Sequence, residues 1–461
     1  MFMTLRRHWA WQSSAFVGSE SQMGSMLSMI DLKKRLFKFW LVRLLIGEFF
    51  LCRGFLRMAG DQYKGISDLC WVYRVSAVAP LKRIAWRTIK SFIEPYRHGE
   101  NPLKIAFLKS TAAESCKNRF LSKESDWALL YRDFLILKAP AKNEKGVLVL
   151  EYTEKFDLFV SLFDLERIMQ DYSIVLEPCW AGYCDPSILM FLSDRSDVIV
   201  QCPEESDFEF IANLKSNLIP VKLGSSDWID ADLFSPRGAG VGKEYDLIMV
   251  ANWGRHKNHR YLFKALSKLR HRTISLLLVG MDWGGRTDQD IRHEMAQYDL
   301  THVHVDIKKN IPAFEVAACL EKSKVFLLLS EKEGSNRAIV EALFCNVPVI
   351  LYENFVGGAK NKVNAQTGIL SSFEELHEKI DYMLDHYQNF TPRSWAMAHT
   401  GSRNATRILN DVLREAAKRR GEEWTADIVE KVNNPNFSYK RNDALSVEQQ
   451  AAAITQSYLR Q

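Results

Sequence analysis

The chain has 461 residues, 47% of them hydrophobic, with 61 Lys and Arg against 56 Asp and Glu, a net charge of +5. That length exceeds one ordinary core and suits two domains with additions, and the apolar content excludes a disordered or fibrous chain. So balanced a charge does not mark a nucleic-acid binder.

The basic surplus lies at the front. Residues 1–100 hold 16 basic and 7 acidic side chains, or +9, which leaves −4 for the rest. The eight cysteines are scattered without a Cys-x-x-Cys pair. Zinc is therefore not indicated, and free thiols in a reducing compartment are favoured over disulfides.

Residues 1–30 show no convincing period. From Leu32 the text becomes LKKRLFKFWLVRLLIGEFFLCRGFLRM. Arg43, Glu48 and Arg53 interrupt its apolar residues, whereas a spanning helix wants about 20 in a row. No small-residue cleavage site follows for a signal peptide. An interfacial helix suits the segment better. Lys33, Lys34, Arg35 and Lys38 would meet anionic head groups while Leu36, Phe37, Phe39, Trp40 and Leu44 enter the acyl boundary.

A second basic, aromatic stretch runs from Leu81 to Arg97, and Trp9, Trp11, Trp40, Trp71 and Trp86 all fall within the first 100 residues. Such rings favour membrane interfaces but also anchor cores, so packing on a neighbouring domain or a partner chain is the other reading.

Beyond residue 100, strand-like and helix-like pieces alternate. Leu103–Leu108 and Gly146–Leu150 read as strands, Phe156–Met169 as helix, and Ser173–Leu176 and Asp197–Gln201 as strands. The polar, turn-rich SSDWIDADLFSP at Ser225–Pro236 marks a domain boundary. The pattern then restarts. Strands are expected at Tyr245–Ala251, Ile274–Gly280, His302–Asp306, Val325–Ser330 and Val347–Leu351. Helices are expected at Tyr261–Leu269, Ile291–Tyr298, Pro312–Glu321, Asn336–Phe344 and Glu374–Tyr387. The tail adds helices at Ser402–Arg419 and Thr425–Lys431. This rhythm predicts two doubly wound α/β domains with parallel sheets facing a central cleft, flanked by helical extensions. The expected divisions are 1–100, 101–235, 236–395 and 396–461.

Two loops carry the chemistry. SEKEGSNRAIVEALFCNVPVIL, Ser330–Leu351, reads as a strand end, a turn, a short helix and a buried strand. Gly334 permits the turn, Ser335 or Asn336 can cap the helix, and its free amides make an anion site. Glu333 and Glu341, eight residues apart, suit two hydroxyl-bearing parts of one ligand. Taken alone, Glu331, Glu333 and Glu341 would also fit ordinary helix-start or surface acids. MVANWGRHKNHRYLF, Met249–Phe263, follows another strand. Its Arg255 and Lys257 can address a diphosphate, with His256 and His259 as weaker alternatives and a solvated basic turn as the bland one.

With these residues in view, positions 245–390 resemble the nucleotide-sugar-binding half of a GT-B glycosyltransferase, specifically the retaining family 4 group. EGSNRAIVE is similar to that family's two-glutamate motif and KNH, Lys257–His259, to its lysine turn. DADLFSP and WAMAHTGSRNATRIL resemble the entry into the second domain and the helical return from it.

The resemblance implies that Glu333 contacts the donor sugar and Glu341 the nucleotide ribose. Lys257, with an arginine, would stabilise the diphosphate, and amides near Gly334 and Ser335 would face the donor. The family's arginine falls where this chain has Asn252, so Arg255 is the substitute, and Asn252 and Asn336 are expected among the donor-binding residues. The family's first-domain histidine has no counterpart between His98 and His256. The loops Glu151–Asp157 and Trp180–Asp185 are the places to look for a replacement.

The implied reaction is sugar transfer from a nucleotide diphosphate sugar to a saccharide or lipid-linked acceptor, by front-face attack, without a protein nucleophile or a fixed metal. Asp230 and Asp232 read as a polar connection. The implied setting is cytoplasmic, with an anionic membrane surface as a partner and no nucleic acid. The alternative is a non-catalytic nucleotide-sugar-binding or scaffold protein.

Overall fold

The computed structural model describes residues 40–121, 133–238, 242–441 and 447–460. The expected head-group lysines Lys33, Lys34 and Lys38, with Arg35, Leu36, Phe37 and Phe39, lie outside these residues, as do Trp9 and Trp11.

Helices α1 (Trp40–Met58) and α2 (Gln62–Val75) open the described chain as an antiparallel pair. They cross at Gly54 and Gly65. A Cβ on Gly65 would stand 2.9 Å from the Gly54 carbonyl oxygen, so both positions exclude side chains. Arg53 and Arg57, which break the apolar run, serve the interior. Asp68, fully buried on α2, accepts two bonds of 2.8 Å from Arg53 and one of 3.0 Å from Arg57. The opposite face of α1 leaves Leu41, Leu45, Phe49 and Leu56 exposed, and Trp40 and Phe55 are exposed beside it. None of the described helices is long and apolar enough to cross a membrane.

Next come α3 (Ala79–Ile93), α4 (Pro102–Leu108) and α5 (Thr111–Leu121). The expected strand at Leu103–Leu108 is thus a helix. Asn101 caps it by accepting from the Leu103 and Lys104 amides, and Pro102 starts it. Its apolar run is short enough to read either way, and the cap decides.

The first sheet contains β1 (Phe134–Lys138), β2 (Gly146–Glu151), β3 (Tyr172–Glu177), β4 (Val198–Gln201) and β5 (Leu218–Val221), in that spatial order. Strands β2 to β5 are parallel, but β1 runs antiparallel to β2, so this sheet is mixed rather than wholly parallel. The expected helix at Phe156–Met169 is two, α6 (Thr153–Leu162) and α7 (Leu165–Asp171), because Asp164 caps a new start. Short α8 (Pro186–Leu189) and α9 (Glu205–Asn213) complete this domain's crossovers. The leading helices share one core with it: Phe50, Ile66, Ile89 and Phe107 pack with Leu148, Ile174 and Val198.

The second sheet is β6 (Tyr245–Val250), β7 (Ile274–Gly280), β8 (Val303–Lys309), β9 (Ser323–Leu328), β10 (Val349–Tyr352) and β11 (Gly368–Ser371). Its order is β11-β10-β9-β6-β7-β8 and all neighbours are parallel. Both faces are covered at its centre, which is why β7 and β10 are nearly continuous apolar runs, whereas the edge strand β8 alternates and has no fully buried residue. The helices are α10 (His259–Leu266), α11 (Asp288–Met295), α12 (Ala313–Glu321), α13 (Arg337–Phe344) and α14 (Leu376–His386).

Helices α15 (Pro392–His399) and α16 (Ser402–Arg420) return to the first domain. There Ala405, Leu409 and Leu413 cover Val147, Val149 and Val175 on the sheet's second face. The expected helix at Thr425–Lys431 does not form. That stretch is extended, tied by Val429 N–H to the Leu137 carbonyl at 2.9 Å, and ends in the two-residue strand β12 (Lys431–Val432). β12 pairs with β13 (Ser438–Tyr439), and α17 (Val447–Tyr458) closes the described chain.

Candidate donor site

The carboxyl ends of the two sheets meet. After β9 the chain turns through Ser330–Ser335 before α13, and this turn touches the first domain. A Cβ on Gly334 would lie 1.9 Å from the Cys179 carbonyl oxygen, which follows β3. Gly334 is therefore required by close approach of a second backbone rather than by a left-handed turn. Ser335 Oγ accepts from the Ser226 amide at 3.0 Å and lies 2.6 Å from Ser226 Oγ, while its carbonyl accepts from Ser225 Oγ at 2.9 Å.

Asn336 is the cap. Its Oδ1 accepts from the Ile339 amide at 3.3 Å, and its Nδ2 donates to Glu333 Oε2 at 3.1 Å. Glu333 Oε1 also accepts from Ser330 Oγ at 2.5 Å and from Lys257 Nζ. The two loops singled out in the sequence thus converge on one ion pair. Burial acts to raise the Glu333 pKa, but the Lys257 ammonium and the bonds from Lys257, Ser330 and Asn336 outweigh it and hold the carboxyl below 4.5.

Lys257 is buried at the end of a single 3₁₀ turn, Arg255–Lys257. Asn258 fixes that turn. Its backbone is left-handed, with φ of 62°, and its side chain donates to the Leu329 carbonyl at 2.9 Å. Asn252 is spent within its own loop, where Oδ1 accepts from the Gly254 amide at 3.1 Å. Arg255 is exposed on the turn that carries Lys257. His259 cannot serve as a cation. It is buried against Trp253, and burial, with Arg286, Lys257 and His256 nearby, drives its pKa down to about 3.

Glu341 lies farther along α13, buried, and burial raises its pKa against the pull of Arg337 and Asn434. Asn434 Nδ2 donates to Glu341 Oε1, and Arg337 donates to the Asn433 carbonyl. Neither Asn433 nor Asn434 was singled out by the sequence. They sit 92 or more residues beyond Glu341 in an irregular stretch, with no motif to mark them. Ser225, Ser226 and Ser330 lie inside the segments singled out, but their roles depend on contacts with Ser335 and Glu333 that a hydroxyl residue does not announce in sequence.

Of the first-domain loops named in the sequence, Trp180–Asp185 begins beside the Gly334 turn, where a Cβ would stand 3.5 Å from the Trp180 nitrogen, and Glu151–Asp157 lies next to it. Trp180 Nε1 donates to a Glu154 oxygen at 3.1 Å. Asp207 holds the second loop by accepting from the Gly182 and Tyr183 amides at 2.8 to 3.0 Å. Glu151, at the end of β2, is buried with one oxygen unpartnered, and burial and neighbouring Glu177 push its pKa to about 8. The pair Asp230 and Asp232 is bridged by Lys440 at 3.0 and 2.8 Å, which accounts for those acids as an internal staple.

Residues 233–395 match the family model described as Glycosyl transferases group 1. No curated protein sequence matches the chain. Among solved structures, sucrose-phosphate synthase from Thermosynechococcus elongatus is 16% identical, with a TM-score of 0.47 over 59% of this chain and 74% of that one. The Anabaena protein Alr3699/HepE, solved with UDP-glucose, is 13% identical, with a TM-score of 0.44 over 59% of this chain and 78% of that one. These distant likenesses add no residue to the site. The family match thus covers the second domain, the six-stranded parallel sheet with its helices, and stops short of the first domain and of the tail.

Proposed function

We propose that this protein is a retaining glycosyltransferase moving a hexose from a nucleotide diphosphate sugar to a saccharide or lipid-linked acceptor. One observation carries the reading. Lys257 after β6 and Glu333 after β9 come from adjacent parallel strands and meet beside the start of α13. A cation, a carboxylate and helix amides are gathered where an open sheet holds an anionic ligand.

The bond to be broken joins the anomeric carbon to the diphosphate. As it lengthens, positive charge grows on the sugar and negative charge on the leaving group. Lys257 stabilises that negative charge, with Arg255 on the same turn as a second cation. Glu333 accepts hydroxyls of the transferred sugar, and Glu341 accepts those of the ribose. The acceptor oxygen attacks on the face that the diphosphate leaves, and a departing phosphate oxygen takes the acceptor proton. One carbon–oxygen bond forms as another breaks, and no protein nucleophile takes part.

The exposed apolar face of α1 supports peripheral attachment to an anionic membrane on the cytoplasmic side, where a lipid-linked acceptor would be at hand. A donor-binding protein without turnover is the second reading, favoured by the absence of histidine between His98 and His256.

The test is product analysis with UDP-glucose first, then GDP- and ADP-sugars, on wild type, E333A and E341A. Both substitutions are expected to lower transfer by about 100-fold or more while melting stays cooperative. Normal turnover in both overturns the assignment. Donor binding by wild type without transfer or hydrolysis selects the non-catalytic reading.

A further inference from the structure

The segment Lys431–Asn434 lies outside the family-matched residues 233–395, yet it touches both domains and the connection between them. Lys431 is fully buried. Its ammonium meets Glu177 at 2.8 Å, donates to Asn433 Oδ1 at 2.6 Å and sits 4.1 Å from the Trp228 ring centre. Asn433, also fully buried, donates its amide N–H to the Trp228 carbonyl at 2.9 Å, and its side chain bonds Glu177 and the Ser225 carbonyl. The Asn433 carbonyl takes the Arg337 guanidinium of α13. Asn434 then presents its side-chain amide to Glu341.

A buried ammonium that bonds a buried carboxylate is not a mobile lid. Withdrawing it would strand both charges in a low-dielectric interior. The segment is therefore a fixed wall, and the amide it carries arrives at a set position. Glu341 needs such a donor. Burial favours its neutral form, and a neutral carboxyl is a weaker partner for hydroxyls than an ion. The Asn434 amide bonds one oxygen, Oε1, and favours the ionised form.

Resting on the reading of Glu341 as the ribose-side carboxylate, we propose that Asn434 is a positioning residue of the donor site. It orients Glu341 from a wall anchored in the first domain. The donor pocket is then built from three separated parts of the chain: the Lys257 turn, the Glu333–Glu341 turn and helix, and the Lys431–Asn434 wall.

The experiment titrates the full-length protein with UDP, GDP and ADP, and then compares the best binder with its 2′,3′-dideoxy form. Wild type should prefer the ribose form by about tenfold, the range of hydrogen bonds to a charged group. E341A should erase the preference, and N434A should erase most of it at an unchanged melting temperature. N434D, which sets a second carboxylate against Glu341, should bind more weakly than N434A. A merely structural Asn434 would not alter the ribose-to-dideoxy ratio in a protein that melts normally.

If E341A abolishes the preference while N434A keeps it, the positioning role is overturned and the Glu341 reading stands. Tighter binding by N434A also overturns it, because the wall would then obstruct the ribose. A preference that survives E341A, or is absent from wild type, removes the Glu341 reading and this inference with it.

Discussion

Glu333 stands just before α13 and Glu341 at its middle, and the protein treats the two carboxyls in opposite ways. Glu333 faces a lysine and two neutral donors, and its pKa lies below the ordinary value. Glu341 is buried with one amide donor and an arginine that bonds elsewhere, and its pKa lies above it. One residue type thus holds charge firmly just before the helix and reluctantly at its middle. The difference comes from the neighbours: a lysine placed by local turn geometry against an asparagine delivered from the tail.

The largest effect should come from removing the lysine. K257A is expected to reduce transfer by about 100-fold or more, measured as product formed per minute at saturating donor. Turnover near that of wild type would mean that Lys257 serves only to neutralise Glu333, and the contrast between the two carboxyls would lose its chemical meaning.

A smaller effect separates the two by pH. Glu333 has a depressed folded pKa, so it contributes stability above its unfolded value that is lost as pH falls through the folded one. E333Q should melt below wild type at pH 7, and the gap should narrow as the solution is taken below pH 4.5. Glu341 has a raised folded pKa. Its contribution is present below the unfolded value and is lost as pH rises through the folded one. E341Q should therefore match or exceed wild type at pH 8, by about 2 °C at most, and converge with it near pH 4. Parallel melting curves for both variants would show that the two environments are equivalent.

The smallest effect concerns α1, far in sequence from either glutamate. L45E and F49E together should weaken sedimentation with phosphatidylserine-containing vesicles about tenfold while leaving nucleotide affinity unchanged. Binding to vesicles equal to wild type would assign that face to another partner.

The sequence carried the second domain well because its signals are local. Ile274–Gly280 is a nearly pure apolar run, and the Asn336 cap lies directly before its helix. The Lys257–Glu333 meeting was legible because each residue sits in a loop after a readable strand. What was hidden depended on distant contacts. Leu103–Leu108 looks like a strand until Asn101 is seen to cap it. Strand β1 escaped notice, and its antiparallel direction is fixed by pairing with β2 rather than by its own residues. The stretch before Lys431 has helical composition, but its backbone amides go to distant partners: Thr425 to Glu144, Ile428 to Asn410 and Val429 to the Leu137 carbonyl of β1. No periodicity could show that Asn434 would reach a helix 93 positions earlier.

Because a protein is synthesised from its amino end, the wall that carries Lys431 emerges from the ribosome after both sheets. A nascent chain stopped short of it would already own every motif residue from Asn252 to Glu341, yet Glu177 would lack its lysine and Glu341 its amide. The contacts of Glu341 and Glu177 are then completed late in the life of the polypeptide, and on the proposed reading a nick or fusion near residue 431 would be felt at the donor site rather than at the periphery.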